Sequence, residues 1–146
     1  MQHVQPRSTT SALVLTAVLI ALTTLFTMYT KIPVPGIRGY FNVGDVVIMT
    51  SALLLGRKYG AYIGAIGPAL ADLFLGYAVF VPITFVVKGI EGYLVGTVYN
   101  NKTTTSALVA TIVGGIVIVA GYFIAEYFVF DPGVAIASIL TNTIQA

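Results

Sequence analysis

Lys88 and Glu91 stand three residues apart inside the apolar stretch VFVPITFVVKGIEGYLVG (residues 79–96). On a helix that spacing puts an ammonium and a carboxylate on one face. Such a pair can form an ion pair, relay a proton or hold the polar substituents of a ligand. Asp72, in GPALADLFLGY, and Asn142, in SILTNTIQA with Gln145 behind it, are the other polar groups set in apolar surroundings. The chain has no cysteine and one histidine, His3. It offers no metal-ligand set and no nucleophile–base arrangement, so neither a metal, nor a cofactor, nor an enzymatic activity is expected of it. It also lacks a phosphate-binding Gly-x-x-x-x-Gly-Lys-Ser/Thr, so any ATP hydrolysis belongs to a partner.

The elements that must position these groups follow from composition. Of 146 residues, 58% are hydrophobic and 8% charged, with a mean hydropathy of +0.96. A soluble domain is about a quarter charged, and twelve charged side chains cannot cover this much apolar surface. The chain reads as one all-α polytopic membrane domain over residues 1–146, with room for roughly five to seven helices of about 20 residues. A net charge of +2 argues against a nucleic-acid surface. Arg7 precedes an apolar run as in a secretory signal, but the run is longer than a signal core and no cleavage site follows it, so a retained first helix is expected.

Six apolar segments are predicted: residues 11–29, 43–55, 60–77, 81–99, 106–128 and 133–146. KIPVPGIRGYFNVGD after the first is a Gly/Pro-shaped loop. The second is too short to cross a hydrocarbon core of about 30 Å and must start below the outer surface or lie within protein. The sixth is short as well, and is expected to be truncated. Six transmembrane helices with a cytoplasmic N-terminus agree with the basic residues. Arg7, Arg57, Lys58 and Lys102 fall inside, against Lys31 and Arg38 outside. The N-glycosylation sequon at Asn101 falls on the inner side and is discounted. Gly60-x-x-x-Gly64, Gly92-x-x-x-Gly96 and Ala17-x-x-x-Ala21 have the spacing of close helix packing. No internal repeat is visible.

On this topology Lys88 lies about 10 Å and Glu91 about 15 Å below the outer surface, with Asp72 about 8 Å deep on the neighbouring helix. A buried unpaired charge costs at least about 2.5–3.5 kcal/mol, so these three residues are expected to cluster away from lipid. The cluster is either an internal ion pair that sets helix register or part of a substrate or ion path. Asn142 falls at the depth of Glu91, which suits a polar cavity open to the outside. The loops add Arg38, Tyr40, Phe41, Asn42, Asp45, Tyr77 and Phe80. Aromatics here suit an interfacial belt or a stacking platform for a small planar ligand.

The stretches GYFNVGDVVIMTSALLLG, GAIGPALADLFLGYAVFVPITFVVKGIEGYLVG and NTIQ resemble the substrate-binding S components of energy-coupling factor (ECF) vitamin transporters. The likeness is to the branch with the hydroxymethylpyrimidine, pyridoxine and riboflavin carriers. It runs from about Thr10 to the end, with NVGD and PITFVVKGIEG its specific parts. The resemblance implies six helices with both termini inside, a first loop that caps an outward-facing pocket, and residence in a prokaryotic plasma membrane. It also implies a transmembrane coupling subunit and two ATP-binding-cassette ATPase subunits, with Ala17 and Ala21 at the coupling interface. Lys88, Glu91 and Asn142 would then hold the polar substituents of a heteroaromatic ring, and Tyr40, Phe41 or Tyr77 would stack on it. The alternative is a proton-coupled secondary transporter with Asp72, Lys88 and Glu91 as the relay.

Overall fold

The six apolar segments fold as six helices: α1 (Thr9–Tyr29), α2 (Gly44–Leu55), α3 (Arg57–Phe74), α4 (Phe80–Val98), α5 (Thr104–Val129) and α6 (Pro132–Gln145). The computed structural model describes residues 9–33, 40–99 and 103–146. Three of the helices, α1, α4 and α5, are long and apolar enough to cross a membrane. The expected boundaries hold to within three residues. The largest shift is in α3, which starts at Arg57 because Arg57 and Lys58 are exposed and can occupy its first turn.

Polarity along α1 is the reverse of that in a soluble amphipathic helix. Its buried face carries Ala12, Thr16, Thr23, Thr24 and Thr27, while Leu13, Val14, Val18, Leu22 and Leu25 are exposed. Two of the threonines satisfy their hydroxyls on carbonyls of their own helix, Thr16 on Ala12 and Thr23 on Leu19. Thr24 reaches across to the carbonyl of Gly67 at 2.9 Å and so fastens α1 to α3. This arrangement is stable where the surroundings are apolar and the interior is polar.

Helices α3 and α4 lie closest together. A Cβ on Gly64 would stand 2.2 Å from the Lys88 carbonyl oxygen, and one on Gly92 would stand 2.1 Å from the Gly60 carbonyl oxygen. The two small-residue pairs expected from their spacing therefore face each other, and the contact fixes the backbone of Lys88 itself. On the other side of α4 lies α5, followed by α6, while α2 touches α1, α3, α4 and α5. With only 12 residues, α2 is about 18 Å long. Its first residues, Gly44 and Asp45, are already buried, so it begins inside the protein, as its length requires.

The remaining ends are capped locally. Thr103 and Ser106 form a reciprocal capping box at the start of α5. The Asp131 side chain accepts from Val134 N at 3.1 Å, and Pro132 occupies the first turn of α6. Between α1 and α2 a short antiparallel pair, β1 (Ile32–Pro33) and β2 (Tyr40–Phe41), sets Pro33 opposite Tyr40. The β2 strand packs on α6. Gly64→Ala or Gly92→Ala must part α3 from α4. Each is expected to lower stability by about 1–3 kcal/mol, seen as a reduced melting temperature in detergent.

Candidate functional site

One cleft gathers most of the polar side chains of the interior. Its lining includes Thr27 of α1, Tyr40 of β2, Asp72 of α3, Thr84 and Lys88 of α4, Tyr122 and Glu126 of α5, and Ser138, Thr141 and Asn142 of α6. The α6 contribution follows from helical spacing. Ser138, Thr141, Asn142 and Gln145 fall on one stripe, while Ile136, Leu140 and Ile144 are exposed on the other. The cavity between the lining atoms is only about 40 Å³. That holds about three waters. A six-membered ring fits only if lining side chains shift.

The floor is ionic. Lys88 is 2% exposed, and its Nζ donates to Asp45 Oδ1 and lies 3.5 Å from Glu91 Oε2. The Tyr122 ring faces the same ammonium at 5.7 Å. Asp45 stands in the first turn of α2, where the helix N-terminus favours a carboxylate. Its other oxygen accepts from Gln145 Nε2 at 2.7 Å. Gln145 Oε1 in turn accepts from Asn42 N and Nδ2, and Asn42 Oδ1 accepts from Gly44 N at 2.8 Å. One amide of α6 thus ties the hairpin exit, the start of α2 and the ion cluster together.

The mouth is aromatic and acidic. Tyr40 donates from its hydroxyl to Asp72 Oδ1 at 2.6 Å. Burial, and then the Asp72 charge, push the Tyr40 phenol far above its ordinary range, so it stays a donor. Tyr40 packs on Tyr77 at 5.0 Å between ring centroids, Tyr77 on Phe80 at 6.3 Å, and Phe80 on Phe130 at 5.3 Å. Lys31 Nζ lies 4.6 Å from the Tyr77 ring centroid. Opposite them, Glu126 accepts from the Ser138 hydroxyl, and Thr84 shares a 3.0 Å hydrogen bond with Tyr122. Two polar atoms of the lining have no protein partner, Thr27 Oγ1 and Asn142 Nδ2.

The expected cluster is therefore rearranged. Asp72, Lys88 and Glu91 do not form one triad, because Asp45 takes the place expected for Asp72. The buried start of α2 brings Asp45 to the depth of Lys88, whereas Asp72 sits in the last turn of α3, at the mouth. Tyr40, Asn42, Asp72, Lys88 and Asn142 line the cleft, with Asp45 bonded behind Lys88. Glu91 is fully buried beside Lys88. Tyr77 supports the Tyr40 ring, and Phe41 stands half-buried beside Ile32. Arg38, and with it Arg7 and Lys102 from the charge tally, lies outside the described residues. Ala17 and Ala21 are exposed together on the outer face of α1, away from buried Ala12. Glu126 is absent from the residues expected above, although a lone acid in YFIAEYFV carries the same signal as Lys88. Thr27, Thr84, Ser138 and Thr141 give no such signal, since hydroxyls are ordinary in membrane helices.

The profile of the ECF-type riboflavin transporter S component family matches residues 7–146. The chain belongs to that family. It is 32% identical over 135 residues to the thiamine precursor transporter HmpT of Lactococcus lactis subsp. cremoris, covering 91% of this chain and 77% of the relative. It is also 41% identical over 126 residues to an uncharacterised protein of Pyrococcus woesei, covering 84% and 83% of the two chains. An S component is a transport subunit for a vitamin or its precursor, and a polar cleft within an apolar-faced helix bundle is the feature such a role requires.

Lys88→Ala leaves Asp45 and Glu91 buried without their cation. It is expected to destabilise the bundle by about 3–5 kcal/mol in chemical or thermal unfolding, and combining it with Asp45→Asn and Glu91→Gln should recover part of the loss.

Proposed function

We propose that this S component captures a small heteroaromatic vitamin or precursor from outside the cell, hydroxymethylpyrimidine or pyridoxine first and riboflavin next. It then delivers its ligand inward with a transmembrane coupling subunit and two ATP-binding-cassette ATPase subunits. All six helices embed in a prokaryotic plasma membrane with the N-terminus cytoplasmic, and the β1–β2 hairpin caps the site. Lys88, held by Asp45 and Glu91, faces the polar substituents, Asn142 and Asn42 supply amides, and Tyr40 backed by Tyr77 covers the ring. Ala17 and Ala21 meet the coupling subunit.

The observation that carries the reading is the pairing of an aromatic lid with unpartnered polar atoms over a buried ammonium. The narrowness of the cleft and the HmpT relative favour a single small ring over a flavin.

Native mass spectrometry of the chain purified without added ligand is expected to release a stoichiometric pyridine or pyrimidine. Asn142→Ala, which removes a donor without a partner among the described residues, should abolish that ligand while the unfolding free energy of the apo protein stays within about 1 kcal/mol of wild type. Uptake in cells with maintained ATP should survive a proton uncoupler. Collapse of uptake under the uncoupler would replace this reading with the proton-coupled one.

A further inference from the structure

The cleft and its floor carry more negative groups than positive ones. Four buried carboxyl groups bear on it, Asp45, Asp72, Glu91 and Glu126, against one buried ammonium among the described residues, Lys88. Lys88 lies against Asp45 and Glu91, so its charge is already matched at the floor. Asp72 and Glu126 remain. They line the cleft on helices that flank α4 on either side, at 3% and 4% exposure. Their partners are neutral hydroxyls, Tyr40 and Thr84 for Asp72 and Ser138 for Glu126. Lys31, the other described cation nearby, lies over the outer aromatic rings and is not part of the lining.

Position sharpens the point. Asp72 and Glu126 each stand in the last turn of their helix, α3 and α5, where the backbone carbonyls already make the field negative. A carboxylate is least favoured there for stability alone. Two carboxyls so placed, bonded by hydroxyls alone, keep lone pairs that a donor on a ligand can fill. A cleft that carries an excess of buried acid, and an unpartnered hydroxyl on Thr27 at 1% exposure, is matched by a guest bearing N–H donors or a positive charge.

We propose that Asp72 and Glu126 are the specificity determinants of the cleft. They select a ring that carries an exocyclic amine or a protonatable ring nitrogen, and they reject analogues bearing a phosphate or carboxylate. The inference rests on the vitamin-binding reading above and narrows its substrate class. Asp72 addresses the ring from the Tyr40 side and Glu126 from the α6 side, while Lys88 stays engaged below. Among the described residues, an anionic substituent would face two carboxyls with no free cation to meet it.

The test uses the full chain in nanodiscs and isothermal titration with four probes. They are 4-amino-5-hydroxymethyl-2-methylpyrimidine, its 4-oxo counterpart of equal size, its phosphate ester, and riboflavin. The amino compound is expected to bind on the order of 10²-fold more tightly than the oxo compound, with the phosphate ester silent. Glu126→Gln and Asp72→Asn keep the shape of each side chain. Each is expected to shrink the amino-over-oxo preference about tenfold or more. Equal binding of amino and oxo compounds, or tighter binding of riboflavin or the phosphate ester, overturns the acid-pair inference and leaves the vitamin-binding reading standing. No binding by any of these probes, or by pyridoxine titrated as a fifth, overturns both. A preference unchanged in both acid variants assigns selectivity elsewhere and also overturns the inference.

Discussion

The structure depends on one constraint: an ammonium held in the middle of an apolar bundle has to meet its counter-charges without help from water. Burial of Lys88 is tolerable only because Asp45 and Glu91 reach it from two helices, and each of those contacts has its own structural requirement. Glu91 arrives through local helix geometry, one turn along α4. Asp45 arrives only because α2 begins inside the protein, which in turn requires the hairpin and its Asn42–Gln145 bonds to carry the chain downward. The backbone of Lys88 is placed by Gly64, whose missing side chain lets α3 press on the Lys88 carbonyl. Register, loop and helix length thus converge on one side chain.

Above this floor the cleft is built in a second layer with different chemistry. The floor is charged and matched, whereas the mouth is aromatic on one side and acidic on both. The row of rings from Tyr40 to Phe130 links the hairpin to the start of α4 and the end of α5. Tyr40 belongs to both systems, stacking on Tyr77 and donating to Asp72. Any displacement that opens the cleft on this side therefore breaks a ring contact and a hydrogen bond together. The cost falls on a two-residue strand pair, which a small domain moves more readily than a helix.

Much of this was legible in the residues, for identifiable reasons. Helices in an apolar solvent announce themselves by length and composition, so the six segments needed little beyond counting. The Gly60/Gly64 and Gly92/Gly96 pairs announced the α3–α4 contact because only small residues let backbones meet. The involvement of Lys88 and Glu91 followed from the cost of a buried charge. The partner of Lys88 did not, because it depends on how far the chain descends between α1 and α2, a tertiary fact without a local signature. Asp72 had the right depth by counting residues, yet its helix ends at Phe74, which leaves it in the last turn. Glu126 carried the same signal as Lys88 but stands alone in its segment, without a neighbour of opposite sign to draw attention to it. The hydroxyls of Thr27, Thr84 and Ser138 were illegible, since what gives them meaning is the cavity they face.

Helix α1 shows how the two faces of such a bundle are joined. Its inner face is a threonine stripe that ends at Thr27 in the cleft, and its outer face exposes Ala21 and Ala17 roughly two and three turns earlier. The stripe is fastened to α3 through Thr24 and Gly67, and α3 carries both Gly64, beneath Lys88, and Asp72, at the mouth. A helix with small residues outward can be approached closely by another membrane helix, while its polar face stays committed to the interior. A partner seated on Ala17 and Ala21 would thus press on an element whose opposite side is continuous with the cleft wall. In an apolar solvent the polar groups of α1 can only face inward, and its outer face is left free for packing.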